Sequence, residues 1–222
     1  MSLLKSNSVQ IGQSATATQN FTLSVPSSPD GTIKLARGNS GATTQDILTV
    51  NSSGAVTLTN GGAITLATAQ ASTSGTAIDF TSIPSWAKRI TLMFNGVSTN
   101  GTSTPWLIQI GDSGGVETTG YLALSSRFTV SAVGTVASSA GFPLAVDNSN
   151  TNICHGSMTI TSLDLSQNLW VASGVFSNSA LTETNTLAGS KSLSATLDRV
   201  RITTTNGTDA FGAGSVNIMY EG

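Results

Sequence analysis

Arg89-Ile90-Thr91-Leu92-Met93-Phe94 alternates apolar and polar side chains at period two, and Val200-Arg201-Ile202-Thr203 repeats the pattern far downstream. Successive side chains of an extended strand point to opposite faces, so Ile90, Leu92 and Phe94 share one face and Val200 shares one with Ile202. One apolar face and one Thr-rich face describe an antiparallel sheet with a dry side and a wet side. The second stretch lies within Leu193–Thr205, and further segments read as strands beside it and Arg89–Phe94: Ala77–Phe80, Leu107–Ile110, Tyr121–Val133, Leu144–Val146, Gly156–Leu163, Leu169–Phe176 and Ser215–Tyr220. Asn95-Gly96, Asn100-Gly101, Gly114-Gly115 and Asn206-Gly207 punctuate them as turns. Nine strands within residues 77–222 predict an antiparallel, jelly-roll-like β-sandwich. Pro84-Ser85-Trp86-Ala87-Lys88 alone suggests a helical turn.

Composition agrees with an all-β chain. Ser, Thr, Asn and Gly make up 104 of the 222 residues, and charged residues only 9%. Ser, Thr and Asn compete for nearby backbone groups and disfavour helix interiors, whereas Thr, Val and Ile favour strands. With a formal net charge of -2 and no Lys/Arg block, nothing marks a nucleic-acid binder. No apolar run reaches the roughly 18 residues of a membrane span. The opening MSLLKSNSVQ has no apolar segment of secretory length. The lone Cys154 excludes an intrachain disulfide framework.

Residues 1–67 read as short extended pieces: Phe21–Val25, Thr32–Ala36 and Asp46–Val50, separated by turn clusters at Pro29-Asp30-Gly31 and Arg37-Gly38-Asn39-Ser40-Gly41. Gly54-Ala55-Val56-Thr57-Leu58 is echoed by Gly62-Ala63-Ile64-Thr65-Leu66. The echo is either one hairpin or a unit that stacks against copies in neighbouring chains. So little apolar area offsets the entropy of ordering poorly, and residues 1–67 are expected to rely on partner subunits. Residues 68–76 read as a polar linker.

The segments Ala17–Leu23, Pro29–Gly38 and Ala42–Val50 resemble the N-terminal part of tailed-bacteriophage virion proteins. Ile83–Ile90, Asn95-Gly96-Val97-Ser98, Asp198–Ile202 and Ser215–Glu221 resemble tail-fibre or head-fibre modules of the same viruses. The resemblance implies a non-enzymatic, homotrimeric fibre in the virion, assembled in the bacterial cytoplasm without cofactor or membrane insertion. Its N-terminal region would dock on a tail, adaptor or capsid protein, with Phe21, Asp30, Lys34 and Arg37 as attachment candidates. Its C-terminal domain would meet a host-surface glycan or protein. A capsid head fibre without a receptor role is the alternative, and a polysaccharide-degrading tailspike a further one.

Several motifs suggest chemistry. Gly111-Asp112-Ser113-Gly114-Gly115 matches the nucleophile loop of chymotrypsin-like proteases, but the only histidine, His155, follows the serine and Val116 replaces the usual proline. A tight loop with an Asp side-chain turn accounts for it. Cys154 and His155 are neighbours on a strand and point to opposite faces, so they do not share a metal; three copies of His155 around a threefold axis are the remaining geometry. Gly189-Ser190-Lys191-Ser192 lacks the spacing of a phosphate loop. Glycan cleavage needs paired carboxylates; the 11 acidic residues are dispersed, and Asp147 and Asp164, two that could meet in space, read as turn and edge residues. Trp106, Tyr121 and Asp112 lie near loops and are the candidates for receptor contact, because aromatic faces stack on sugar rings. Trp86 and Trp170 read as core or interface anchors.

Overall fold

A computed structural model describes residues 7–16, 19–28, 30–39, 42–59, 64–101, 105–144, 151–178 and 182–222. The chain is all-β: among these residues there is no α-helix, and the sheets are antiparallel throughout. It divides into two compact units, Met1–Ala63 and Ile64–Gly222.

The first unit is a five-stranded meander of β1 (Ser8–Ile11), β2 (Phe21–Ser24), β3 (Ile33–Asn39), β4 (Ala42–Val50) and β5 (Val56–Leu58), paired in that order. Its register puts Val9, Leu23, Leu35, Leu48 and Leu58 in one row across the sheet. Ile11 and Phe21 extend the row on one side, and Ile33, Val50 and Val56 on the other. Every one of these side chains lies on the same face. The opposite face carries Thr22, Lys34 and Asp46, the last two joined by a 2.7 Å ion pair. Buried Asn20 accepts the Ser14 N–H at 2.9 Å and donates to the Ser14 carbonyl at 2.7 Å, closing the loop after β1.

The second unit contains β6 (Thr65–Leu66), β7 (Gln70–Ala71), β8 (Ala77–Phe80), β9 (Arg89–Thr99), β10 (Trp106–Asp112), β11 (Gly115–Val116), β12 (Leu122–Phe128) and β13 (Val133–Ser138). It continues with β14 (Phe142–Leu144), β15 (Cys154–Asp164), β16 (Leu169–Asn178), β17 (Glu183–Ser192), β18 (Arg199–Thr204) and β19 (Phe211–Glu221). The large sheet runs β13-β12-β17-β16-β15-β9-β19-β6, with β7 also on β19; the small one runs β11-β10-β18-β8, with β14 also on β10.

One core serves both sheets. Ile90, Leu92 and Phe94 of β9 and Met158 and Ile160 of β15 come from the large sheet; Ile108 and Ile110 of β10 and Val200 and Ile202 of β18 come from the small one. Aromatic packing joins them: the Trp106 ring lies 6.1 Å from Phe94 and 6.0 Å from Phe211. The alternation that marks β9 and β18 in the sequence thus selects the faces that meet here.

Four local readings change. Tyr121–Val133 is not one strand but the hairpin β12–β13, turning at residues 129–132, where the Thr129 N–H and hydroxyl both donate to the Ala132 carbonyl. Leu193 and Leu197 are buried within a loop, and the strand begins only at Arg199. Residues 68–76 do not form a free linker: β7 pairs with β19, and buried Ser72 bonds Ala213 and Gly214 carbonyls through its hydroxyl and N–H. The glycine-led echo is not one hairpin, because Val56–Leu58 pairs with β4 whereas Thr65–Leu66 pairs with β19. Pro84–Lys88 forms a turn closed by the Ala87 N–H on the Pro84 carbonyl at 2.9 Å.

Candidate functional site

Trp106 and Tyr121 are core residues, each 1% exposed, which corrects the expectation that they meet a ligand. Trp106 points inward from β10 because Trp106, Ile108 and Ile110 share a face. Its ring stacks on Phe94, meets Phe211 in an edge-type contact and is closed off from solvent, so no sugar can stack there. The Tyr121 ring packs edge-on to Phe142 at 5.1 Å. Its hydroxyl accepts the Ile110 N–H at 2.7 Å and reaches the carbonyls of Ile110 and Glu117 at 3.1 and 3.0 Å. Burial pushes the Tyr121 phenol well above its ordinary pKa.

Asp112 is buried as well, in the β10–β11 turn. One carboxylate oxygen accepts the Gly114 N–H at 2.7 Å, the side-chain turn expected there. The other accepts the Ser194 hydroxyl at 2.7 Å. These bonds, the Ser194 hydroxyl foremost, hold the Asp112 carboxyl below the ordinary range. Gly111 is required by packing: a Cβ there would sit 2.1 Å from the Gly115 carbonyl oxygen. Beside this turn, Lys191 forms an ion pair with Glu117, which also accepts the Ser194 N–H. Burial acts to raise the Glu117 carboxyl, but Lys191 and Ser194 outweigh it and the net shift is downward. The turn after β10, the strand β17 and the loop before β18 are thereby locked together.

No protease geometry accompanies the motif. Ser113 is exposed on the small sheet's turn, whereas His155 lies on the large sheet with its Nδ1 accepting the Gly96 N–H at 3.2 Å. Cys154 faces the core beside Val97 and Asn178. Burial, with the Glu183 charge second, pushes its thiol up to about 12. Asp164 caps the 3-10 turn Leu165–Gln167, accepting the Ser166 hydroxyl at 2.7 Å and its N–H at 2.8 Å. Asp147, its supposed partner, lies outside the described residues. Of the attachment candidates, Phe21 belongs to the exposed apolar face, Lys34 pairs with Asp46 on the other face, and Asp30 accepts the Thr32 N–H at 2.8 Å in the turn before β3. Arg37 is exposed and sits opposite Phe21.

The outward face of the small sheet holds a polar cleft of about 410 Å³. Leu107, Thr203 and Ala77 form one row of its lining, and Gln109 and Arg201 the next; Asp79 continues that second row on β8. Arg201 meets Asp79 through two parallel bonds, Nε to Oδ1 and Nη2 to Oδ2, both 2.7 Å. That carboxylate raises the guanidinium pKa further. Gln109 donates to the Ala140 carbonyl at 2.8 Å, which fixes its amide. Thr205, Asn206 and Gly207 make one rim and Thr118 another. The strand alternation that hides Ile202 is the signal that exposes Arg201 and Thr203, so this site is marked in the sequence by its wet positions.

No family model, no curated protein and no solved structure matches this chain.

Proposed function

We propose that the chain is a non-catalytic structural subunit of a bacteriophage virion, a short fibre built from three copies of itself. The observation that carries this reading is the apolar face of the N-terminal sheet. Val9, Ile11, Phe21, Leu23, Ile33 and Val56 on it are all exposed. Isolated apolar residues on a surface are ordinary, but a sheet face with apolar residues on all five strands, interrupted by Arg37 and Gln45 at one end, is a surface for association. Three such faces turned toward a common axis would bury one another. The sequence resemblance to virion fibre segments supports the same assignment, with docking to a tail, adaptor or capsid protein through the N-terminal unit.

Host contact then falls to the Arg201–Asp79 cleft rather than to Trp106 and Tyr121. A guanidinium–carboxylate fork presents donors and acceptors in one plane, which suits neighbouring sugar hydroxyls. Half-buried Ala77 and the Thr203 methyl supply a small apolar floor for the C–H face of a ring. Three copies would add avidity to weak single contacts.

Immuno-electron microscopy of particles from the source culture, with antibody to the full chain, tests the assignment. Label on particles is expected; absence of the chain from purified particles overturns it. Label on heads rather than tails selects the head-fibre alternative. Oligosaccharide release from host capsule or lipopolysaccharide would replace the structural reading with a degradative one.

A further inference from the structure

The outward face of the large sheet carries an apolar patch that nothing in its own unit covers. Register places Leu122, Leu124 and Phe128 of β12 on that face, with Val133 of β13 opposite Phe128. Val175 of β16 joins them through Thr186 of β17. Leu122 is 77% exposed and Val133 66%. At the hairpin tip, Val130 is 89% exposed. Burying such side chains is favourable in proportion to the apolar area removed from water, so leaving them wet has a cost that association removes.

The edge beside the patch is also unguarded. Among the described residues β13 pairs only with β12, and its sequence Val-Gly-Thr-Val-Ala-Ser contains no charge and no proline. Proteins that stay monomeric protect such edges with Lys, Pro or bulges. The one charged residue of the hairpin strands, Arg127, sits on the other face, 3.8 Å from the buried Glu183 carboxylate.

We infer that the β12–β13 hairpin and the sheet face beside it form an interface between copies of this chain. The inference rests on the fibre reading and names the surface that would assemble its C-terminal unit. Absence of charge fits a second copy: two uncharged surfaces meet without repulsion, whereas a nucleic acid or a charged peptide would find no counter-charge. Size is the second argument. The four strands β13, β12, β17 and β16, at ordinary spacing and about five residues in depth, project roughly 300 Å², the size of apolar surface patches that are often functional. Shape adds a third argument. The face holds two hollows of about 320 and 330 Å³, one beside Leu122 and Ala137 and one beside Val175 and Thr184. A protruding Val130 and hollows elsewhere on the same face suit a head-to-tail contact that closes into a ring.

The test is light scattering on the full chain and on the variant L124K/V133K across a concentration series. Both positions are exposed, so the variant should keep a cooperative thermal transition. The wild type is expected as a trimer, and the variant's assembly midpoint should rise at least tenfold. An unchanged midpoint overturns the interface while leaving the fibre reading in place. A wild type that stays monomeric at every concentration overturns both. Thr205→Lys, on the small sheet's cleft, should not change assembly. If the double variant is insoluble, Val130→Cys gives a second readout. Its thiol should react with a maleimide at least tenfold more slowly in the assembled chain than after dilution to monomer. Equal rates reject the interface.

Discussion

Lys191 holds its ammonium 5.5 Å from the centroid of the Tyr121 ring while pairing with Glu117. The side chain is only 6% exposed. It projects from β17 to the inner side of the large sheet, opposite Trp170. A buried cation of this kind is stable only while its carboxylate and its aromatic neighbour stay in place.

Lys191→Met should therefore destabilise the chain through Glu117 rather than through lost packing. Removing one partner of a fully buried pair costs about 3–5 kcal/mol. Glu117 is partly wet, so about 2 kcal/mol is expected here. Urea denaturation of the variant, compared with Glu117→Gln and the double variant, measures it. The double variant should recover part of the loss; strict additivity would mean that the two groups do not interact.

Acid should weaken this lock in a defined window. Asp112 and Glu117 both hold their carboxyls below the ordinary range in the folded chain. As pH falls, the unfolded chain takes up these protons first, near pH 4. The contribution is complete above that value and disappears as pH drops through the lower folded values. Melting temperature should be flat from neutral pH to about 4.5 and then fall. Asp112→Asn should melt lower at pH 7 and lose part of the acid slope. A slope identical to wild type would remove Asp112 from the account.

Trp106→Ala should cost about 3–5 kcal/mol, as for other large aromatic truncations in a core. Tyr121→Phe strands the Ile110 N–H and should cost about 1–3 kcal/mol. Any variant that remains folded should bind host cells as the wild type does. Calorimetry paired with an adsorption assay reads both quantities, and lost adsorption at unchanged stability would restore these residues to the binding surface.

Arg201→Ala should behave in the opposite way. Its pair with Asp79 is well exposed, so the stability change should stay under about 1 kcal/mol. Adsorption, or retention on an array of host glycans, should fall at least tenfold. Full retention would move host contact away from the cleft.

Hydrophobic alternation made β9 and β18 legible from residues 90–94 and 200–202, and β8 with them. It failed for β17. The inward positions there are Glu183, Asn185, Leu187, Gly189 and Lys191, so polar groups and a glycine occupy core-facing sites and hide the period. The β12–β13 turn was invisible for a related reason: Thr129-Val130-Ser131-Ala132 contains no glycine, proline or asparagine. Trp106 and Tyr121 were misplaced because proximity to a loop in sequence says nothing about which face a strand residue takes. Parity with Ile108 and Ile110 held that information for Trp106. The cleft needed register as well, since Gln109, Arg201 and Asp79 become neighbours only when β10, β18 and β8 pair.

The strand β19 pairs with β9 along its length and also receives β6 and β7. The first and last segments of the second unit are thus neighbours in one sheet. During synthesis β6, β7 and one edge of β9 must wait until residue 221 has left the ribosome. A chain cut short before Phe211 would leave Leu92 and Phe94 without Ile218 and Val216 beside them, and one edge of β9 unpaired. Closure of this unit therefore ties its earliest strands to its latest one: the large sheet is complete only when β19 is present.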